Sequence, residues 1–305
     1  MNVVVTGGTG FIGRPLCMAL CQDGHIVTLL TRRPAEAHPV FGRAVTVVEW
    51  NGRESGVWEQ TLEGADAVIN LAGAPIADAR WTTARKRLLT DSRVSTTRLL
   101  VDALSRRPSK PRTLISASGI GYYGASDDRV LDEGAARGQG FLADLCLKWE
   151  AAALAAASFG TRVVIVRTGM VLEQNGGALP KMVLPFRLFA GGPIMPGTQW
   201  VSWIHRRDHI GLIQWALATS SVSGPVNAVA PGAVTMKTFC DALGQVLHRP
   251  SWLPVPGFAL RAALGELGTL MTTGQRVGPA KALAGGYTFQ YPTLEPALRA
   301  ILTKA

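Results

Sequence analysis

The residues best suited to chemistry fall into four clusters. Gly7, Gly10 and Gly13 follow the apolar run Val3-Val4-Val5 and precede an amphipathic run carrying Ile12, Leu16, Ala19 and Leu20. Strand, glycine turn and helix in that order make an anion cradle. The helix N-terminus offers unpaired N–H groups and a positive dipole end to the phosphates of a dinucleotide. Gly7 serves the tight turn, Gly10 lets the backbone approach a pyrophosphate, and Gly13 lets helix pack close on strand. The second cluster, Thr31-Arg32, ends the next predicted strand. An Asp or Glu about 20 residues past the glycines would bond the ribose hydroxyls; a hydroxyl and a guanidinium suit a 2′-phosphate instead. Third, Ser118 ends another predicted strand and Tyr123 lies in the glycine-rich, mobile-looking loop after it, residues 119–124. Both offer hydroxyls for proton transfer. Fourth, His205 and Asp208 are acid/base candidates at a junction of lobes, with hydrogen-bonded hinge residues as the alternative.

The elements that must hold these clusters alternate. Strands are expected at residues 3–5, 25–30, 45–48, 65–73, 113–118, 162–166 and 226–230, and helices at 12–24, 85–104, 140–159 and 210–219. Such alternation predicts an α/β fold with a doubly wound parallel sheet, whose ligands lie at the carboxyl ends of the strands. Leu71 and Ala72 therefore belong to the site. Residues 170–200, rich in Gly and Pro, read as irregular chain. Beyond Pro231, helices around 239–247 and 258–270 carry a smaller lobe, which divides the chain into a nucleotide-binding domain, 1–230, and a C-terminal lobe, 231–305, contributing to a substrate pocket.

With 305 residues, 47% hydrophobic and 17% charged, the chain can bury a large core and is not of disordered composition. Cys17, Cys21, Cys146 and Cys240 form no CxxC pair, so neither zinc nor a disulfide framework is indicated. No metal ligand set is called. No signal segment or membrane-length apolar run is read, and a reducing, cytoplasmic setting follows. The net charge is +10, with cations dense between Arg80 and Arg112. No nucleic-acid-binding motif accompanies them, so they are read as a solvated basic face that attracts an anionic cofactor and a small-molecule substrate.

The motifs Gly7-Gly8-Thr9-Gly10-Phe11-Ile12-Gly13, Asn70-Leu71-Ala72, Ser116 and Ser118 followed by Tyr123-Gly124, and Trp203-Ile204-His205 resemble the extended short-chain dehydrogenases/reductases. Asp91-Ser92-Arg93, Lys148-Trp149-Glu150-Ala151-Ala152 and Leu184-Pro185-Phe186-Arg187 narrow the resemblance to an atypical group. This group is described as epimerase-family or nucleoside-diphosphate-sugar epimerase-like, with a C-terminal domain of unknown function. The resemblance implies a Rossmann domain holding NADP(H) through Gly7, Thr9, Gly10, Phe11, Ile12, Gly13, Thr31, Arg32, Leu71, Ala72 and Arg93, and a catalytic Ser118. The family's Tyr-x-x-x-Lys is absent: none of the four tyrosines has a lysine four residues on. Alignment on Glu150 puts Leu142 and Cys146 in those places. Lys148, about 200° further round the helix than Cys146, faces away. Two functions fit: an NADP(H)-dependent oxidoreductase or epimerase drawing its proton from Ser118 and Tyr123, or a non-catalytic NADP(H)-binding sensor of the cell-division-inhibitor kind.

Overall fold

Val3 and Val5 point to one face of a sheet and Val4 to the other, and all three are buried. Both faces are therefore covered, which is why the strands are continuous apolar runs rather than alternating ones. The computed structural model describes residues 1–303. The first part of the chain runs β1 (Asn2–Thr6), α1 (Gly13–Gln22), β2 (Ile26–Thr31), α2 (Pro34–Phe41), β3 (Val45–Glu49), β4 (Ala67–Asn70), α3 (Thr83–Thr90), α4 (Thr96–Ser105), β5 (Thr113–Gly119), α5 (Phe141–Leu154) and β6 (Arg162–Thr168). There follow β7 (Met170–Leu172), α6 (Leu179–Arg187), β8 (Trp200–Val201), β9 (Trp203–His205), α7 (Arg206–Ala218), β10 (Gly224–Ala228), β11 (Val234–Thr235), α8 (Met236–Leu247), α9 (Gly257–Leu264), α10 (Glu266–Thr272), α11 (Ala280–Ala284) and α12 (Leu294–Leu302).

The expected parallel sheet is present. Its seven strands lie in the order β10-β6-β5-β4-β1-β2-β3, every neighbouring pair parallel. The order reverses between β1 and β4, so the crevice for a ligand opens there. One face packs Leu16 and Leu20 of α1 and Leu212 and Ile213 of α7 on Val3, Val5, Ile69 and Val164. The other packs Leu100 and Leu104 of α4 on Val4, Val68, Leu114 and Ile165. Among the described residues no helix is long and apolar enough to cross a membrane.

Several local expectations are corrected. The helix expected over 85–104 starts at Thr83, capped by the Thr82 hydroxyl, and is broken by a π-turn, Asp91–Ser95, in which Arg93 and Val94 are both buried. The helix expected over 258–270 is two, divided at Gly265, whose φ of +62° ends α9. Residues 170–200 are not wholly irregular, since they hold β7 and α6. The second lobe's core joins Leu179, Val183, Phe186 and Trp203 to Phe239, Leu243, Leu298 and Ile301. It thus draws on chain before Pro231 as well as after it.

Candidate functional site

At the switch point the glycine turn has the geometry its spacing implies. Gly7 has φ +69°, and a Cβ there would stand 2.6 Å from the Leu71 carbonyl oxygen. A Cβ on Gly13 would collide with the Gly7 carbonyl, so helix and turn touch backbone to backbone. Gly10 differs: its Cβ would meet only Gly7 O, at 3.2 Å, and otherwise open space. The Phe11 and Ile12 N–H groups have no hydrogen-bond partner among the described residues, and no side chain caps α1. A helix N-terminus with idle donors over open space is a phosphate seat. These donors and this space are the chemistry that the pyrophosphate of a dinucleotide requires. The Phe11 ring is roofed by Gly176 and Gly177 and by Arg206, 5.4 Å from ring centre to guanidinium carbon and itself paired with Glu173 at 2.7 Å.

Thr31 is buried at the end of β2, and its hydroxyl accepts from the Arg33 N–H at 3.3 Å. Arg32 is exposed and makes no ion pair or hydrogen bond with described residues, whereas Arg33 is taken up by Glu36. Leu71 and Ala72 follow β4 beside Gly7. Below them Thr6 donates to Asn70, and Asn70 to Thr97, tying the ends of β1 and β4 to α4.

Ser118 and Tyr123 are brought together, through residues the sequence reading left without a role. Ser118 donates to Glu150 Oε1 at 2.7 Å. Arg167, on β6, forks onto both Glu150 oxygens at 2.9 and 2.8 Å and donates to the Tyr123 hydroxyl at 2.9 Å. Tyr123 in turn donates to Asn227 on β10 at 2.8 Å. Arg167 and Glu150 side chains are 4% and 7% exposed. Burial works against the guanidinium's charge, but the Glu150 bonds outweigh it and hold Arg167 above its usual value. The Tyr122 ring stacks 3.5 Å from the Arg167 guanidinium.

Tyr123 sits on an ordered turn rather than on a loose loop. Residues 120–123 form a 3₁₀ turn, Tyr123 is 3% exposed, and burial raises its pKa, the Arg167 and Asn227 bonds opposing. Its proton is held by Asn227 and that of Ser118 by Glu150. Both hydroxyls are engaged as hydrogen-bond donors in this arrangement. Leu142 and Cys146 face the 119–121 segment. A Cβ on Gly121 would lie 3.0 Å from Leu142 Cβ, and the Cys146 thiol donates to Gly119 O at 3.5 Å. Burial pushes that thiol up to about 11, so it is no ready acid. Lys148 is exposed, as the helical rotation requires.

His205 and Asp208 prove to be joints between lobes. His205 Nδ1 accepts from Arg207 N–H at the start of α7, and its ring stacks on Tyr291 at 4.0 Å. Asp208, fully buried, accepts the Gln290 and Tyr291 N–H groups at 2.8 and 2.9 Å. The cations between Arg80 and Arg112 do not form one face. Arg106 and Arg107 hold Glu59, Lys86 holds Glu266, Arg87 holds Asp91, and Arg93 is 7% exposed.

Comparison with known proteins accords with this geometry. The profile of the NAD dependent epimerase/dehydratase family matches residues 3–229, and that of a domain of unknown function (DUF1731) matches residues 255–301. The chain is 43% identical to the Arabidopsis thaliana epimerase family protein SDR39U1 homolog, chloroplastic, over 99% of this chain and 87% of that one. It is 40% identical to the Bacillus subtilis epimerase family protein YfhF over 99% and 98%. The crystal structure of human epimerase family protein SDR39U1 (isoform 2) with NADPH superposes with a TM-score of 0.87 at 35% identity, covering 100% of both chains. With the switch-point sheet and the glycine turn in place, the chain belongs to the NAD dependent epimerase/dehydratase family, in the branch that ends in the DUF1731 domain.

Proposed function

We propose that the protein binds NADP(H) in the switch-point crevice and presents the nicotinamide to a small molecule without the family's tyrosine–lysine pair. The observation that carries the reading is the idle pair of N–H groups, Phe11 and Ile12, over the open space at Gly10. The pyrophosphate would lie there, cradled by Gly7, Thr9, Gly10, Phe11, Ile12 and Gly13. Thr31 and the unpaired Arg32 would take the 2′-phosphate. Leu71 and Ala72 would flank the nicotinamide half, with Arg93 beyond them. The human relative crystallised with NADPH supports the same cofactor. Bound NADP(H) supplies hydride chemistry; the chain supplies orientation and a largely apolar wall from Leu142 and Cys146. Four free thiols favour a reducing, cytoplasmic setting.

Titration of NADPH and NADH into the protein and into Arg32→Ala tests the assignment. Loss of a charge-assisted phosphate contact should weaken NADPH about ten- to a hundredfold and leave NADH unchanged. An equal fall for both cofactors overturns it.

The commitment of Ser118 to Glu150 and of Tyr123 to Asn227 favours a second reading, a cofactor-dependent sensor that transfers no hydride. Protein loaded with NADPH deuterated at the transferred position separates the two. Deuterium passed to any member of a carbonyl and sugar-nucleotide panel establishes an oxidoreductase or epimerase. Retention of label and cofactor throughout establishes the sensor.

A further inference from the structure

Two adjoining stretches of the second lobe hold large apolar side chains out in solvent. Leu184, Leu188 and Phe189, on and just past α6, are 58%, 68% and 57% exposed. Trp252, Leu253 and Phe258, before and at the start of α9, are 64%, 43% and 71% exposed. The stretches are tied edge to edge. Trp252 Nε1 donates to Phe189 O at 3.0 Å, and the Trp252 and Leu253 N–H groups both donate to Gly191 O at 3.0 Å. Exposed apolar side chains are ordinary when scattered singly; six along one edge mark a contact surface.

The backbone is strained to present one of them. α6 ends in a Schellman motif, with the Phe189 N–H on Phe186 O at 3.0 Å and the Ala190 N–H on Pro185 O at 2.9 Å. The left-handed position of this motif ordinarily takes glycine. Here it is Phe189, at φ +60°, a conformation that a Cβ makes unfavourable. Burial within the fold does not offset that strain. The ring is left in solvent, with the Arg249 guanidinium carbon 4.4 Å from its centre.

The charge around the patch has one sign. Residues 179–199 and 242–265 contain no Asp or Glu, while Lys181, Arg187, Arg249 and Arg261 lie among them. The acids that bound the second stretch are taken up, Asp241 by Lys237 and Glu266 by Lys86. A second copy of the chain would set these cations against themselves across a two-fold axis. A peptide helix needs a concave groove, whereas these side chains stand out from the surface. Protruding Trp, Phe and Leu among arginines suit a soft, anionic interface instead.

We propose that this edge docks peripherally on an anionic lipid bilayer. Leu188, Phe189, Trp252 and Phe258 enter the boundary between headgroups and acyl chains, and Arg187, Arg249 and Arg261 meet lipid phosphates. Docking of this kind needs no membrane-spanning helix.

The test is flotation of the full chain with vesicles of phosphatidylcholine alone and of an equal mixture with phosphatidylglycerol. Wild type should bind the anionic vesicles about tenfold or more tightly than the neutral ones, and added salt should weaken the binding. Phe189→Gly and Trp252→Ser should each weaken it about fivefold or more, with NADPH affinity within twofold. Phe189→Gly relaxes the left-handed residue and should melt no lower than wild type, so its loss of binding is not a loss of fold. Arg187→Glu should weaken anionic binding more than Arg43→Glu, the same charge change at an exposed arginine between α2 and β3. No preference for anionic vesicles, binding indifferent to both aromatic variants, or an equal loss from the two charge reversals overturns the proposal. Without vesicle binding, a dimer that Trp252→Ser dissociates assigns the face to a second copy. Retention of an acidic amphipathic helix by wild type but not by Trp252→Ser, again without vesicle binding, assigns it to a protein. Either result overturns the proposal.

Discussion

Replacing Arg167 by methionine should destabilise the protein strongly, and the loss should be recovered in part by removing its partner. Methionine fills much of the same space but strands the Glu150 carboxylate, 7% exposed, with Ser118 as its one remaining donor. Breaking a buried ion pair in this way costs about 3–5 kcal/mol. An unfolding entropy of about 2.1 cal/mol/K per residue gives roughly 0.6 kcal/mol/K for a chain of this length, so the melting temperature should drop by about 5–8 °C. Glu150→Leu alone should cost a similar amount, because it strands Arg167. The double variant removes both charges of the pair. It leaves Ser118 and Tyr123 one partner short each, at about 1–3 kcal/mol for each stranded group. Its loss should therefore fall below the sum of the two single losses by about 2 kcal/mol or more. Scanning calorimetry on the four proteins measures this directly. Additive losses, or a cost for Arg167→Met below about 1 kcal/mol, would show that the pair does not hold the β5–β6 edge of the site as argued.

Gly10→Val should abolish NADPH binding while shifting the melting temperature of the cofactor-free protein by no more than about 3 °C, because the new methyls enter ligand space rather than the core; equilibrium binding beside a thermal melt checks it, and retained affinity would sink the glycine-turn assignment. Tyr123→Phe should cost about 1–3 kcal/mol by leaving Asn227 Oδ1 without its donor and Arg167 Nη1 with only the Glu133 carbonyl at 3.4 Å, with NADPH affinity within threefold; a stable variant whose only defect is turnover would identify Tyr123 as the acid. His209, fully buried with Nε2 2.9 Å from the Thr168 hydroxyl, has its pKa lowered to about 4 by burial. The unfolded chain, titrating near 6.5, then binds the proton more readily, so stability is full above about pH 6.5 and falls as pH drops towards 4. The loss at pH 5 is about 2 kcal/mol, or roughly 3 °C, and it should vanish in His209→Gln when melting is compared at pH 7.5 and 5.

The glycine turn and the parallel strands were legible in the sequence because each is a local property. Three β-branched residues, a three-residue glycine spacing and a helical apolar stripe act within about fifteen residues of chain. Arg32 was legible for the same reason, by its place at a strand end. The rest depended on distant partners. Tyr123 reads as a free phenol until Asn227, 104 residues away, accepts its hydrogen bond. Glu150 and Arg167 are ordinary charges on a helix and a strand until packing α5 on β6 removes both from water and makes each the other's counter-charge. Arg93 was singled out only by the family resemblance, and its burial, 7% exposed against Trp149, is set by the π-turn and by packing on α5. Periodicity tells which face a residue takes. Which charges lose their water, and which of those find a counter-charge, is set by the summed packing of elements far apart in the chain, and that is where the chemistry of this site was decided.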